Sequence, residues 1–284
     1  MRAVLVFCEG QHDVVFATRS LGAAGCSWVG APIAELPSPF GDSKATKSLI
    51  AKRYGARALG AMALRAAGHS PVPAFEAMVE SPAGGPVYAV IRNSGDTNAA
   101  AATGLIDDIQ NDLAVGAGVL DISECAVAFL FDADTGGVPA REAAFHAGYS
   151  AFFGLTTQLG HGNWTQTSRG PVGLYVFHDA TTGLGTLETH LAPMVQSHWP
   201  GKWTAADAFL TSHATPADAI HKSPAARLKA QISIAGQGSF PGAPMSDIID
   251  SHSGSRAAAM LPKSAFQSSQ AAVELVAFLQ AVTW

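Results

Sequence analysis

With 284 residues, 48% of them hydrophobic and only 14% charged, the chain has material for one large or two small cored domains and no disordered composition. Its net charge of −5 excludes polyanion binding through a bulk positive field, so nucleic-acid contact would need a local basic patch or a bridging metal. Cys8, Cys26 and Cys125 are odd in number and lack zinc-type spacing, so free buried thiols are expected rather than a disulfide framework. No apolar run is long enough to span a membrane, and the start is too short for a signal segment, which makes a soluble, cytoplasmic chain the expectation.

Taken in order, residues 2–7 read as a buried strand that runs into Cys8-Glu9-Gly10, where the glycine permits a sharp strand-to-helix exit. Asp13 opens a helix-like run over 14–21, and an acid there serves either as a helix cap or as a ligand. Residues 31–86 read as an insertion: a Pro-rich loop, then a helix from Lys44 to about residue 67. Between Ser43 and Phe75 stand Lys44, Lys47, Lys52, Arg53, Arg57 and Arg65 with no acid, a pattern that fits phosphate contact or a solvated helix face. Tyr54 is the one interleaved aromatic, which weakens a base-stacking reading.

Residues 87–92 (VYAVIR) read as the next strand, with a turn at Gly95, and a helix is predicted over 97–112. Residues 126–137, AVAFLFDADTGG, are the most informative: a buried-strand run stops at Asp132 and Asp134, whose i, i+2 spacing aims both carboxylates to one side. Two adjacent anions raise each other's pKa or need a cation between them, and hard oxygen pairs suit Mg²⁺ or Mn²⁺. The bland alternative is a strand ending in a polar Asp-Thr-Gly-Gly turn. A helix over 139–149, a loop or hairpin over 158–169 and a strand over 172–177 closing at His178-Asp179 come next. Beyond GLGTLETHL (183–191), helical segments are expected over 192–212, 222–234 and 270–282. Alternating strands and helices predict an α/β chain with a parallel sheet covered on both faces.

Glu9-Gly10-x-x-Asp13 after one strand, Asp132-x-Asp134 after another and Gly185-Thr186-Leu187-Glu188 further on form an ordered set. It resembles the Toprim domain of topoisomerases, primases and OLD-type nucleases, and the extra Asp13 and GTLE resemble the OLD branch and its small stand-alone relatives. The likeness covers residues 2–24 and 119–191. It implies a Rossmann-like core with a four-stranded, mainly parallel sheet in residues 1–191, a helical insertion at about 31–86, and a helical extension over 192–284. It also implies a metal-dependent nuclease using two Mg²⁺ or Mn²⁺ ions, with Glu9 and Asp132 at one ion and Asp13, Asp134 and Glu188 at the other. The catalytic set would be Glu9, Asp132, Asp134 and a lysine, Lys229 in preference to Lys222, with Thr186 orienting a ligand or water.

DNA or RNA would be the substrate. OLD-type nucleases carry an ATPase module, and no G-x-x-x-x-G-K-[ST] loop occurs here, so the resemblance implies a separate ABC-type ATPase partner in a phage-defence-type system. The alternative is a non-catalytic Toprim-like module that binds nucleic acid or a partner; primase-like transfer would need nucleotide- and template-binding domains not found here. A homo-oligomer is compatible with either. His12, His178 and His190 lie near the motifs and read as solvated or supporting residues. A serine triad is not supported, because no G-x-S-x-G elbow occurs.

Overall fold

The computed structural model describes residues 2–29, 35–54, 73–82, 84–93, 98–237, 245, 249 and 261–284. Its frame is a mixed seven-stranded sheet with strand order β2-β3-β4-β1-β5-β7-β6. The strands are β1 (Ala3–Cys8), β2 (Ser27–Trp28), β3 (Ala74–Glu80), β4 (Val87–Arg92), β5 (Cys125–Asp132), β6 (Asn163–Thr167) and β7 (Gly170–Phe177). β4, β1, β5 and β7 run parallel and are the four strands that the apolar runs predicted. The expectation of a four-stranded, mainly parallel sheet is nonetheless corrected: β3 is antiparallel to β4, β2 to β3 and β6 to β7. β3 falls inside the stretch read as a helical insertion, and its run AFEAMVE hides a strand because Glu76 interrupts the apolar pattern. Glu76 sits at a register shift between Phe75 and Ala77 and is ion-paired to Arg92 at 2.9 Å. β6 was legible only as a loop or hairpin, since NWTQT is polar and half exposed at the sheet edge.

The central strands are buried on both faces, and side-chain alternation divides them between two cores. Val4, Val6 and Cys8 with Ala126, Ala128 and Leu130 face one side. There they meet α1 (Gln11–Ala23), α5 (Leu187–His198), α7 (Pro224–Gln237) and α9 (Gln270–Gln280). Leu5, Phe7, Val127, Phe129 and Phe131 face the other, under α3 (Ala99–Gln110) and α4 (Gly137–Phe153). Phe129 is the hub of that layer, with its ring centroid 4.4 Å from Tyr149 and 5.2 Å from Phe145. The three cysteines are free and buried.

α2 spans Lys44–Tyr54, and the Ser43 and Thr46 hydroxyls at its start both bond Asp112. The further stretch of the predicted helix, with Arg57 and Arg65, lies outside the described residues, as does the Gly95 turn. The segment expected as one helix over 192–212 is two, α5 and α6 (Pro200–His213), because Pro200 starts a helix well but cannot continue one. α8 (Lys263–Ser268) and α9 close the chain against α1, with Phe266 against Phe16. Among the described residues no helix is long and apolar enough to cross a membrane.

The chain leaves β1 toward β4 on one side and returns from β4, through α3, to β5 on the other. β1 and β5 are therefore neighbours whose exits go to opposite faces: α1 packs on one core and α4 on the other. Such a reversal of strand order opens a crevice at the carboxyl ends of the two strands, where open α/β sheets bind ligands.

Candidate functional site: an acidic rim at the ends of β1 and β5

Glu9 follows β1 and Asp132 ends β5, and the pairing of Cys8 with Leu130 brings both exits to the same edge of the sheet. The Glu9 amide donates to the Leu130 carbonyl at 3.2 Å, while the Asp132 amide donates to Glu9 Oε2 at 3.3 Å. Residues 123 positions apart thus share one crevice.

Asp13 stands at the first turn of α1, buried, with Oδ2 accepting the Gly10 amide at 2.7 Å. The capping role posed by the sequence is therefore carried out. Burial, then the Glu9 charge, pushes its pKa up to about 8, with Glu188 adding to the push and the Gly10 amide and Lys229 opposing it. Asp132 is pushed up to about 9 by burial and then by Asp13, Glu188 and Glu9. These causes show that Glu9, Asp13, Asp132 and Glu188 lie within one electrostatic neighbourhood.

Asp132 also caps a helix that is not its own: its Oδ1 accepts the Leu187 amide at the start of α5, at 2.8 Å. A carboxylate at the positive end of a helix is favoured, and this contact ties the end of β5 to the start of α5. The link is strengthened by a two-way bridge, Asp134 N–H to the Gly185 carbonyl at 2.7 Å and Gly185 N–H to the Asp134 carbonyl at 2.9 Å. Gly185 has φ 118, and a Cβ there would stand 2.9 Å from Thr189 Oγ1, so the bridge requires glycine. Asp134 itself has φ 50, a left-handed conformation that aspartate tolerates better than most residues.

Glu188 is 2% exposed, and its carboxylate receives Thr186 Oγ1 at 2.7 Å, Lys229 Nζ at 3.5 Å and His12 Nδ1 at 3.6 Å. Burial alone would raise its pKa, but His12, Lys229 and Thr186 together hold it below the ordinary value. Burial would likewise lower Lys229, yet Glu188, Asp132 and Asp13 raise it. Lys229, on α7, is thus the lysine brought to the rim. Lys222 follows the short 3-10 turn Ala219–His221, is exposed, and makes no ion pair among the described residues.

Asp134 is placed differently from its neighbours. Its half-exposed carboxylate lies 2.7 Å from the Arg141 guanidinium on α4, whose Nε donates to the Asp132 carbonyl at 2.7 Å and whose Nη2 is 4.0 Å from Glu9 Oε2. Arg141 is 8% exposed with its guanidinium over the Phe131 ring, and sequence reasoning missed it. A lone arginine in a helix carries no motif signal; only the turn from β5 into α4 brings it back over Asp132. His12, which the sequence reads as a solvated or supporting residue between Glu9 and Asp13, supports Glu188, a pairing that depends on α1 and α5 meeting.

The rim's donors are mainly hard carboxylate oxygens, the chemistry that suits Mg²⁺ or Mn²⁺, with the His12 imidazole beside Glu188. Among the described residues, however, no three His, Cys, Asp or Glu side chains are grouped closely enough to hold an ion as they stand. Donor type and charge fit a divalent cation; a finished coordination shell is not built.

Two clefts share the Asp179 and Thr189 side of the 179–189 segment. One, of about 390 Å³, lies between the 179–189 segment and α7, and Asp134 and Thr186 belong to its lining. The other, of about 610 Å³, lies between β7, α5 and the α8–α9 pair, with His178, His190, His198 and Glu274 among its walls. Asp179 reaches both; its carboxylate accepts the Thr181 and Thr182 amides, and those bonds hold its pKa low. No family model, curated protein or solved structure matches the chain.

Proposed function

We propose that the chain is a divalent-metal-dependent nuclease of the Toprim type, cleaving phosphodiesters of DNA or RNA at the acidic rim. The observation that carries the reading is the meeting of Glu9, Asp13, Asp132 and Glu188, drawn from the ends of β1 and β5 and the starts of α1 and α5, in one crevice where two of them are forced up in pKa. An excess of buried carboxylate over cation is unfavourable in a resting protein and becomes useful when a divalent ion neutralises it.

Glu9 and Asp132 would hold one ion, with Asp13 and Glu188 serving a second. Bound divalent ions supply charge neutralisation at the phosphate and activation of water. Lys229, anchored on Glu188, is placed to balance charge on a phosphate at the rim, and Arg141 holds the Asp132 backbone and Asp134 in position. Asp134 serves here through its pair with Arg141 rather than as a bare ligand. A separate ABC-type ATPase remains part of the proposal on the resemblance alone.

Purified protein with Mn²⁺ or Mg²⁺ is expected to nick plasmid DNA or cut RNA, and Glu9→Gln and Asp132→Asn to lower the rate by roughly a hundredfold or more. Cleavage at the wild-type rate in both variants would remove the proposal.

A second reading has its own support. The lack of a three-ligand grouping among the described residues, with Asp134 already paired to Arg141, suits a non-catalytic module that binds nucleic acid or a partner. Calorimetric Mn²⁺ titration separates the two: the nuclease takes up ions at the rim and loses them in Asp132→Asn, whereas the binding module takes up none.

A further inference from the structure

We infer that the cleft of about 390 Å³ beside the rim seats the nucleobase next to the scissile phosphate of a nucleic-acid strand, an inference that rests on the nuclease reading. The cleft is continuous with the rim, since Asp134 and Thr186 are shared between them and the Asp134–Gly185 bridge forms their common edge. A group held here sits beside Asp134 and Thr186, at the edge where the cleft meets the rim.

Its walls are chiefly apolar, built from Leu184, Ala225 and Leu228, and Leu184 is left 42% exposed, unusual for a leucine in this chain. Hydroxyls of Thr135, Thr182, Thr186, Thr189 and Ser223 and the carboxylates of Asp134 and Asp179 also line it, but they contribute the smaller part of its surface. Apolar walls with a few convergent donors and acceptors, at a volume within the range of small-molecule pockets, match a planar heterocycle with N–H and carbonyl edges. A second phosphate is a poor occupant, because among the described residues no lysine or arginine lines the cleft, and Asp179 and Asp134 would repel it. Among the described residues no aromatic side chain lines it either, so the base is gripped by apolar contact and by its edge rather than by stacking. Edge contacts discriminate among bases where stacking does not, so this cleft gives the nuclease a base preference at one position.

The test measures binding separately from cleavage. Calorimetry in Mg²⁺ compares thymidine 5′-monophosphate with 2-deoxyribose 5-phosphate, in which an anomeric hydroxyl replaces the base. The wild-type chain is expected to bind the nucleotide roughly tenfold tighter. Leu184→Ser, which strips the exposed wall, and Ala225→Trp, which fills the cleft from the first turn of α7, are each expected to abolish that preference without lowering the melting temperature. Equal affinities, no binding of either probe, or a preference surviving in both variants overturns the inference. Oligonucleotide cleavage is scored alongside: base preference without cleavage sinks the nuclease reading and leaves the cleft's assignment standing, and cleavage without preference does the reverse.

Discussion

Arg141 shows how much at this rim depends on one side chain. Its Nε and Nη2 hold the Asp132 carbonyl and the Asp134 carboxylate, both at 2.7 Å, with Glu9 within 4.0 Å. An arginine fork can do this in one plane, and a lysine cannot. Arg141→Leu is expected to lower the unfolding free energy by roughly 1–3 kcal/mol in urea titration, since a buried charge-assisted contact is lost. Arg141→Lys should recover only part of that loss, because it restores charge without the two-armed grip; full recovery would show that only charge matters here. The acids and the arginine differ in legibility for a physical reason. Glu9 and Asp132 each end an apolar run, so their placement at the sheet rim follows from strand length alone, whereas Arg141 matters only after α4 folds back over β5.

Among elements, the β6–β7 hairpin decides how the C-terminal helices attach. Gly173 on β7 faces the Trp164 ring on β6, and a Cβ there would meet the ring at 2.6 Å. Trp164 in turn stacks on Phe278 of α9, ring centroids 5.0 Å apart, and donates its indole N–H to the Phe278 carbonyl at 2.8 Å. Gly173→Ala should therefore push Trp164 off α9 and cost about 1–3 kcal/mol, as overpacking does. Gly104→Ala, in the exposed face of α3 with nothing within 4 Å, should instead stabilise by about 0.5–1 kcal/mol through helix propensity. Opposite signs in denaturant melts check the pair; two losses would mean the hairpin contact is not what makes Gly173 special. β6 escaped sequence reading because an edge strand with one wet face has no apolar run, and its partner strand creates it.

For the molecule as a whole, the acidic rim sets the pH dependence. Asp13 and Asp132 have folded pKa values raised to about 8 and about 9, well above their unfolded values. A carboxyl raised in the folded state stabilises while it is protonated, so stability is lost as pH rises toward the folded value. Glu188 is lowered and acts the other way, but only in the acid range below its ordinary value. His161 and His190 are lowered by burial, and their penalty appears as pH falls below the usual imidazole range. Between about pH 7 and 9 the two aspartates act with the buried thiols of Cys8, Cys26 and Cys125, which burial also raises, and the metal-free melting temperature should fall with rising pH. If the proposed metal site forms, Mn²⁺ or Mg²⁺ should raise it more at pH 9 than at pH 7, because a bound ion would take the deprotonated carboxylates. Asp132→Asn should flatten both slopes, and an unchanged slope would mean the carboxyl charges do not meet in solution.

The amino-acid order alone determined that four apolar runs are buried parallel strands and that Glu9, Asp13, Asp132 and Asp134 stand at their exits, because strand burial and turn chemistry are local. It also pointed to Glu188 and to a lysine in the 222–234 segment, without choosing firmly between Lys222 and Lys229. The tertiary structure decided the rest: that β1 and β5 are neighbours across a reversal of strand order, that Asp132 caps α5, that Lys229 rather than Lys222 reaches Glu188, and that Arg141 holds Asp134. Those facts depend on which elements pack together, and packing across a hundred or more positions is fixed by the shape of two shared cores rather than by any short stretch of residues.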